Sequence, residues 1–174
     1  MRAIGFHGTS IERAERILAG GFRSSRNDYD WLGDGVYFFQ DAPRRAREWA
    51  RERFGAEAAV LGAEIDLDGC IDLLDTQWQR VIAIAHKRYL KRLARAGAPP
   101  PRQTPGAHRL DRNVLNYLAD GLKRKGLVVR SMRAAFPEGE PLFPGSALLS
   151  RAHVQIAVRD FSAILRTWHV DEEA

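Results

Sequence analysis

Three polar stretches combine a group able to do chemistry with backbone that lets a ligand come close. His7-Gly8-Thr9 sets an imidazole beside a residue without a Cβ. A ligand could there reach bare backbone N–H and C=O groups while the ring meets a hydroxyl. Gly33-Asp34-Gly35-Val36-Tyr37-Phe38-Phe39 leads from two glycines straight into an aromatic run. That leaves room for a flat group against the ring of Tyr37. Ala152-His153-Val154-Gln155-Ile156-Ala157-Val158 alternates, with His153 and Gln155 on one face and Val154, Ile156 and Val158 on the other. Each stretch also has a plain counterpart: a surface histidine beside a turn, a set of core aromatics, an exposed sheet face.

The elements that must hold these residues follow from spacing. Ala3 to Phe6 reads as a strand ending at His7-Gly8-Thr9. Ser10 then caps a helix whose apolar face is Ile11, Ala14, Ile17 and Leu18, stopped by Gly20-Gly21. Arg23 to Trp31 reads as a loop. Val36 to Phe39 is a strand with Tyr37 and Phe39 on one face and Phe38 on the other, so part of it belongs to the core. Asp41 is expected to cap a helix with Pro43 in its first turn, running through Ala46, Trp49 and Ala50 toward Phe54. Ala59 to Leu67 is a further strand.

The middle of the chain changes character. Gln77 to Ala96 is amphipathic, with Trp78, Ile82, Ala85, Tyr89 and Leu93 inward and Lys87, Arg88, Lys91, Arg92 and Arg95 outward. Ala98–Pro101, continuing to Gly106, is a loop that prolines keep from being helical. Leu110 to Lys125 is helical again, with Gly126 as terminator. Strand signals return at Leu127–Val129, at Ala152–Val158 and at Ile164–Val170. Phe136 to Ser150, carrying Pro137, Gly139, Pro141, Pro144 and Gly145, reads as a long loop. The expectation is a single α+β domain over 1–174, with short antiparallel strands, helices outside, and a helical insertion at about 76–126.

Composition narrows the field less than the motifs do. The chain has 174 residues, 45% hydrophobic and 28% charged, which excludes collagen-like, disulfide-scaffold and wholly disordered classes. Lys+Arg 27 against Asp+Glu 22 gives +5, and the only lysines are Lys87, Lys91, Lys123 and Lys125. An arginine excess suits phosphate and nucleic acid; a coding bias toward Ala, Arg, Gly and Pro explains it equally well. One cysteine, Cys70, cannot form an internal disulfide and reads as a buried, inert thiol. With no apolar run of about 20 residues and a start too short and polar for a signal peptide, the expected setting is cytoplasmic, without a membrane partner. The five histidines show no ligand spacing, so no metal is expected, and no nucleophile elbow is present. Gly33-x-Gly35 is not a dinucleotide fingerprint, because it precedes a strand and lacks the third glycine.

Taken together, His7-Gly8-Thr9, the helix after it, Gly35-Val36-Tyr37-Phe38-Phe39 and a helix bearing Ala46 and Trp49 resemble the ADP-ribosyltransferase superfamily. The likeness is to its poly(ADP-ribose) polymerase and diphtheria-toxin branch, and it is close over about the first fifty residues. The central helices have no counterpart, and the last strands match in pattern alone. The resemblance implies split antiparallel sheets around an NAD cleft. It implies that His7 contacts a ribose hydroxyl, that the Gly8 backbone takes the nicotinamide carboxamide, and that Tyr37 stacks on the nicotinamide ring. Thr9, Gly35, Phe38 and Trp49 complete the expected NAD contacts, Trp49 as a second wall or as a core anchor.

In that branch the third residue is usually Glu. Here the late strand offers Gln155 or His153, with no acid before Asp160. Gln155 could hold a ribose but adds no negative charge beside a developing cation. The loop residues Glu138 and Glu140 are candidates for the missing carboxylate, and with Phe143 for contacts to the acceptor. The implied activity is an NAD-dependent mono-ADP-ribosyltransferase acting on a macromolecule, RNA or DNA slightly before protein. A toxin or defence role with a neutralising partner protein goes with it by analogy. The alternatives are an RNA 2′-phosphotransferase-like enzyme and a catalytically inactive nucleic-acid-binding module on the same fold.

Overall fold

The structure is a computed structural model and describes residues 1–24, 27, 30–104 and 107–171. The loops expected around Arg23–Trp31 and at Gly106 fall partly outside the described residues.

The chain runs β1 (Arg2–Ser10), α1 (Ile11–Gly20), β2 (Val36–Gln40), α2 (Pro43–Phe54), β3 (Ala58–Asp66), β4 (Cys70–Asp72), α3 (Gln77–Arg95), α4 (Arg109–Lys123), β5 (Ser131–Phe136), β6 (His153–Val158) and β7 (Ile164–His169). The fold is α+β. Its strands form one seven-stranded sheet in the order β4-β5-β6-β2-β1-β3-β7. Pairing is antiparallel except between β4 and β5, which are parallel and need the α3–α4 crossover to join them.

Register explains the packing. Tyr37, Ala157, Met132 and Ile71 lie in one row across β2, β6, β5 and β4. That row faces Ala85 of α3 and Val114, Leu115 and Leu118 of α4 in one apolar cluster. Phe39, two residues on from Tyr37, packs on the same face against Ala46 of α2 and Val60 of β3. Phe38, Ile156, Val158, Ala63 and Ile65 form the core of the opposite face. All the inward residues expected on α3 are buried or half-buried, while Lys87, Arg88, Lys91, Arg92 and Arg95 are exposed.

Several expectations need correction. Two sheets were expected, yet the strands form one sheet, because β1 and β2 are joined by the pairs Gly5–Gln40 and Phe6–Phe39. His7-Gly8-Thr9 lies inside β1 and not at its end, since the Ala3–Thr9 stretch pairs residue by residue with β3. Asp41 does not cap α2: its φ is 52°, and the cap position is Ala42, with no side-chain bond, ahead of Pro43. Ile11 and Leu18 of α1 are exposed, so the buried stripe of that helix is narrow and centres on Ala14. Leu127–Val129 is not a strand; the strand begins at Ser131, where Met132 fills the core and Leu127 and Val128 stay exposed. The short strand β4 was not anticipated, because three residues carry no periodic signal.

Candidate functional site

The β1–β2 ladder stops at Phe6 and Phe39, and a cavity of about 790 Å³ opens where the two strands part. That volume lies within the usual range for a small-molecule site. Strict alternation puts His7 on the Phe38 face and Tyr37 and Gln155 on the other. All three line the cavity, because it occupies the gap between β1 and β2.

His7 is held by its neighbours. Its Nδ1 lies 2.9 Å from the Tyr37 carbonyl oxygen, and its ring meets Phe22 and Phe38 at centroid distances of 5.5 and 5.7 Å. A carbonyl only accepts, so Nδ1 donates, and in the neutral ring Nε2 is left as an acceptor. Burial pushes the His7 pKa below its ordinary value and keeps the ring neutral, with a small push the same way from Arg13.

Gly8 has a packing reason to be glycine. A Cβ there would lie 2.5 Å from the Ala46 carbonyl oxygen and 3.1 Å from Trp49 Cε3, so α2 sits directly against this residue. The Asp41 N–H donates to the Ile4 carbonyl, which fixes the edge of β1 that faces β2. Counting by twos along the strand, the polar backbone groups of Gly8 point to that same edge, where the cavity has replaced β2.

Tyr37 lines the cavity with its hydroxyl fully engaged. The O–H donates to the Gly33 carbonyl at 2.7 Å and accepts from the Leu32 N–H at 2.9 Å. Burial and nearby Asp30 push its pKa far above the ordinary phenol value, so it is a neutral wall and not a base. The glycine turn ahead of it is clamped by the helical crossover. Asp34 Oδ1 accepts from Arg112 Nη2 at 2.7 Å and from Asn116 Nδ2 at 3.1 Å. Arg159 donates to the Asp34 carbonyl at 2.9 Å and to Asn116 Oδ1 at 2.8 Å.

Gln155 lies opposite Phe39 and reaches the cavity, whereas His153 does not. His153 stands behind it: Gln155 Nε2 is 2.7 Å from His153 Nε2, and His153 Nδ1 is 2.7 Å from the Arg151 carbonyl. Thr9 and Phe38 are both buried and both contribute to the cavity wall. Trp49 lines the cavity, with Arg53 stacked 4.9 Å from its ring, so it serves both as wall and as packing against Gly8. Gly35 is not at the cavity. Its missing Cβ is required by the Val158 carbonyl, which would lie 2.8 Å away.

Of the loop residues, Glu138 lines the cavity and pairs with Arg45 at 3.0 Å. Glu140 and Phe143 are exposed and lie away from the cavity wall. The loop folds back on itself through Leu142 N–H to Leu148 carbonyl and Ser150 N–H to Glu140 carbonyl bonds.

Sequence reasoning missed the arginines and one acid. Arg13 and Arg16 of α1 and Arg45 and Arg53 of α2 line the cavity, as does the buried Asp30. Arg45 Nε and Nη1 are buried with no hydrogen-bond acceptor among the described residues; Nη1 lies 3.8 Å from the Glu48 carboxylate and Nη2 3.0 Å from that of Glu138. A signal was present: Arg45, Trp49 and Arg53 recur every four residues, one face of a helix. Among the described residues no cluster of three or more His, Cys, Asp or Glu could hold a metal ion. No helix among them is long and apolar enough to cross a membrane. No family model matches the chain, and no curated protein matches its sequence.

Proposed function

We propose that this cleft binds NAD as a substrate and that the protein is a mono-ADP-ribosyltransferase. The observation that carries the reading is the convergence of His7, Tyr37 and Gln155, from three separate strands, on one cavity beside the cavity-facing backbone of Gly8. Tyr37 and Trp49 provide aromatic surface for a nicotinamide ring. The Gly8 backbone offers a donor and an acceptor that match a carboxamide. His7 Nε2 accepts a ribose hydroxyl. Arg13, Arg16, Arg45 and Arg53, all on the same walls, suit the pyrophosphate.

In the proposed reaction the bond from the ribose to the nicotinamide nitrogen breaks, and its electron pair leaves with nicotinamide. The ribose carbon then takes an acceptor nucleophile, which gives up its proton to water. Gln155 contributes a hydrogen bond to the ribose but no negative charge. Positioning and fixed dipoles therefore supply most of the acceleration.

The arginines also favour a second reading, an RNA 2′-phosphotransferase-like enzyme, because they would serve a 2′-phosphate as well as a pyrophosphate. For the acceptor of the transferase, the exposed basic row on α3 supports nucleic acid before protein. The same row is what an inactive nucleic-acid-binding module would use.

Incubation with labelled NAD separates these. The transferase releases nicotinamide and leaves label on protein or nucleic acid, and Tyr37→Ala abolishes both. Release that depends on a 2′-phosphorylated RNA supports the second reading. If NAD neither binds nor turns over while nucleic acid binds in a salt-dependent way, the module reading replaces both.

A further inference from the structure

His153 and Gln155 form a pair whose hydrogen-bond directions determine one another. The Arg151 carbonyl is 2.7 Å from His153 Nδ1, so that nitrogen carries the proton, because a carbonyl only accepts. In the neutral ring Nε2 then holds a lone pair. Gln155 Nε2, 2.7 Å away, donates into it. The amide nitrogen of Gln155 is thereby turned toward β6's own histidine, and the amide oxygen is the end left for the cavity that Gln155 lines.

We propose that His153 is a positioning residue that holds the Gln155 amide with its carbonyl oxygen toward the cleft, so that the site selects a ligand hydroxyl as donor. That the hydroxyl belongs to a ribose rests on the NAD reading; the orientation of the amide does not. Protonated His153 carries N–H on both nitrogens. Two donors would then meet at 2.7 Å, so the amide turns over and offers its NH2 to the cleft instead. A hydroxyl can still accept from that group. It then loses the acceptor for its own proton, and the contact it keeps is to a cleft of altered polarity.

The surroundings keep His153 neutral at ordinary pH. Its ring lies 4.9 Å from Phe39 and stacks on Phe136 at 5.8 Å and 20°. Burial there lowers its pKa from the ordinary value. The Arg151 carbonyl and Glu138 oppose that shift, and Arg45 reinforces it. The charged groups that act on the ring are Glu138 in the loop after β5 and Arg45 of α2; Arg45 also lies beside Glu48, and Arg151, whose carbonyl meets the ring, has Glu52 as its partner. They pair among themselves: Arg45 with Glu138 at 3.0 Å and Arg151 with Glu52 at 2.9 Å.

Two measurements test this. In the free protein, nitrogen-15 NMR of the histidine rings reads the tautomer directly. The expected result is Nδ1–H for His153 and a Gln155 side-chain amide signal that shifts with the same midpoint as the ring. An Nε2–H tautomer, or an amide signal that ignores the titration, overturns the proposal whether or not NAD binds. Calorimetric NAD affinity from about pH 5 to about pH 8 is the second measurement. The wild type should weaken about tenfold as pH falls through the His153 midpoint found by NMR. His153→Gln, which offers an amide oxygen in place of Nε2 and cannot titrate, should keep the high-pH affinity and lose that step. His153→Leu should be weak at every pH. A step at the His153 midpoint that survives in His153→Gln, or a wild-type profile without one at that midpoint, overturns the proposal; a step at the His7 midpoint, read from the same spectra, is common to both proteins. If NAD fails to bind at any pH, the NAD reading falls, and the NMR result alone decides the amide's orientation.

Discussion

His7 and Tyr37 are joined by a side-chain bond, Nδ1 to carbonyl oxygen at 2.9 Å, just past the point where the β1–β2 ladder ends. The imidazole thus satisfies a carbonyl at the gap between the parting strands, and its other nitrogen is left as an acceptor. The neutral ring is essential to that arrangement, and burial is the first cause of its lowered pKa.

Acid should therefore weaken the fold. The folded pKa of His7 lies below its ordinary value of 6.5, so as pH falls through that value the unfolded chain takes the proton first. Stability from the buried neutral ring is fully present above the unfolded pKa and is lost as pH drops toward the folded one. His153, also shifted down, acts in the same direction. Urea midpoints should fall between about pH 7 and about pH 5, and more shallowly in His7→Gln, which cannot titrate. Parallel curves for the two proteins would show that His7 is not held neutral.

Gly8→Ala should be costly although the change is one methyl. The new Cβ would lie 2.5 Å from the Ala46 carbonyl oxygen, backbone that moves only if α2 moves. Overpacking of this kind costs about 1–3 kcal/mol, or about 2–4 °C in Tm per kcal/mol for a chain of this length. Gly20→Ala, whose Cβ would meet nothing within 4 Å, is the control and should not fall in Tm. Equal melting temperatures would mean that α2 does not press on β1.

How much of this was legible in the sequence depended on the range of the cause. His7, Tyr37 and Gln155 could be picked out because strand alternation and neighbouring glycines are local signals. Their meeting could not, since alternation sets His7 and Tyr37 on opposite faces and only the short β1–β2 ladder brings them to one cavity. Gly8 and Gly35 read alike as openings for a ligand. In the fold both are glycine because backbone, from Ala46 and from Val158, comes close. The strand at Ser131–Phe136 was missed because Arg133 and the small Ala134 and Ala135 break its apolar pattern, whereas Leu127–Val129 has the pattern without the burial.

Tyr37→Phe and Tyr37→Ala should separate the ring from the hydroxyl. The hydroxyl bridges the Gly33 carbonyl and the Leu32 N–H, and neither bond faces a ligand. Removing it should cost about 1–3 kcal/mol of stability by stranding two backbone groups, with NAD affinity changed by less than about threefold. Tyr37→Ala removes the stacking surface as well and should abolish NAD binding. A Phe variant as dead as the Ala variant would mean that the hydroxyl itself contacts the ligand.

Asp34→Ala tests whether the helical crossover sets the geometry of the cleft. Asp34 is the acceptor that ties Arg112 and Asn116 of α4 to the glycine turn, and that turn carries the Gly33 carbonyl which orients Tyr37. Its side chain is 29% exposed and that of Arg112 is 18%, so the pair is worth more than a surface bridge and less than a fully buried one. Loss of about 2 kcal/mol is expected, because the Arg112 guanidinium keeps its burial and loses its carboxylate. Asp34→Asn, which keeps Oδ1 as acceptor for both donors but removes the negative charge, should lose about half as much. The sharper readout is binding: Asp34 does not line the cavity, yet a loosened turn frees the Tyr37 ring to swing. NAD affinity should then drop about tenfold in Asp34→Ala at temperatures where the variant is still folded. If stability falls and affinity holds, the crossover supports the fold without positioning the site.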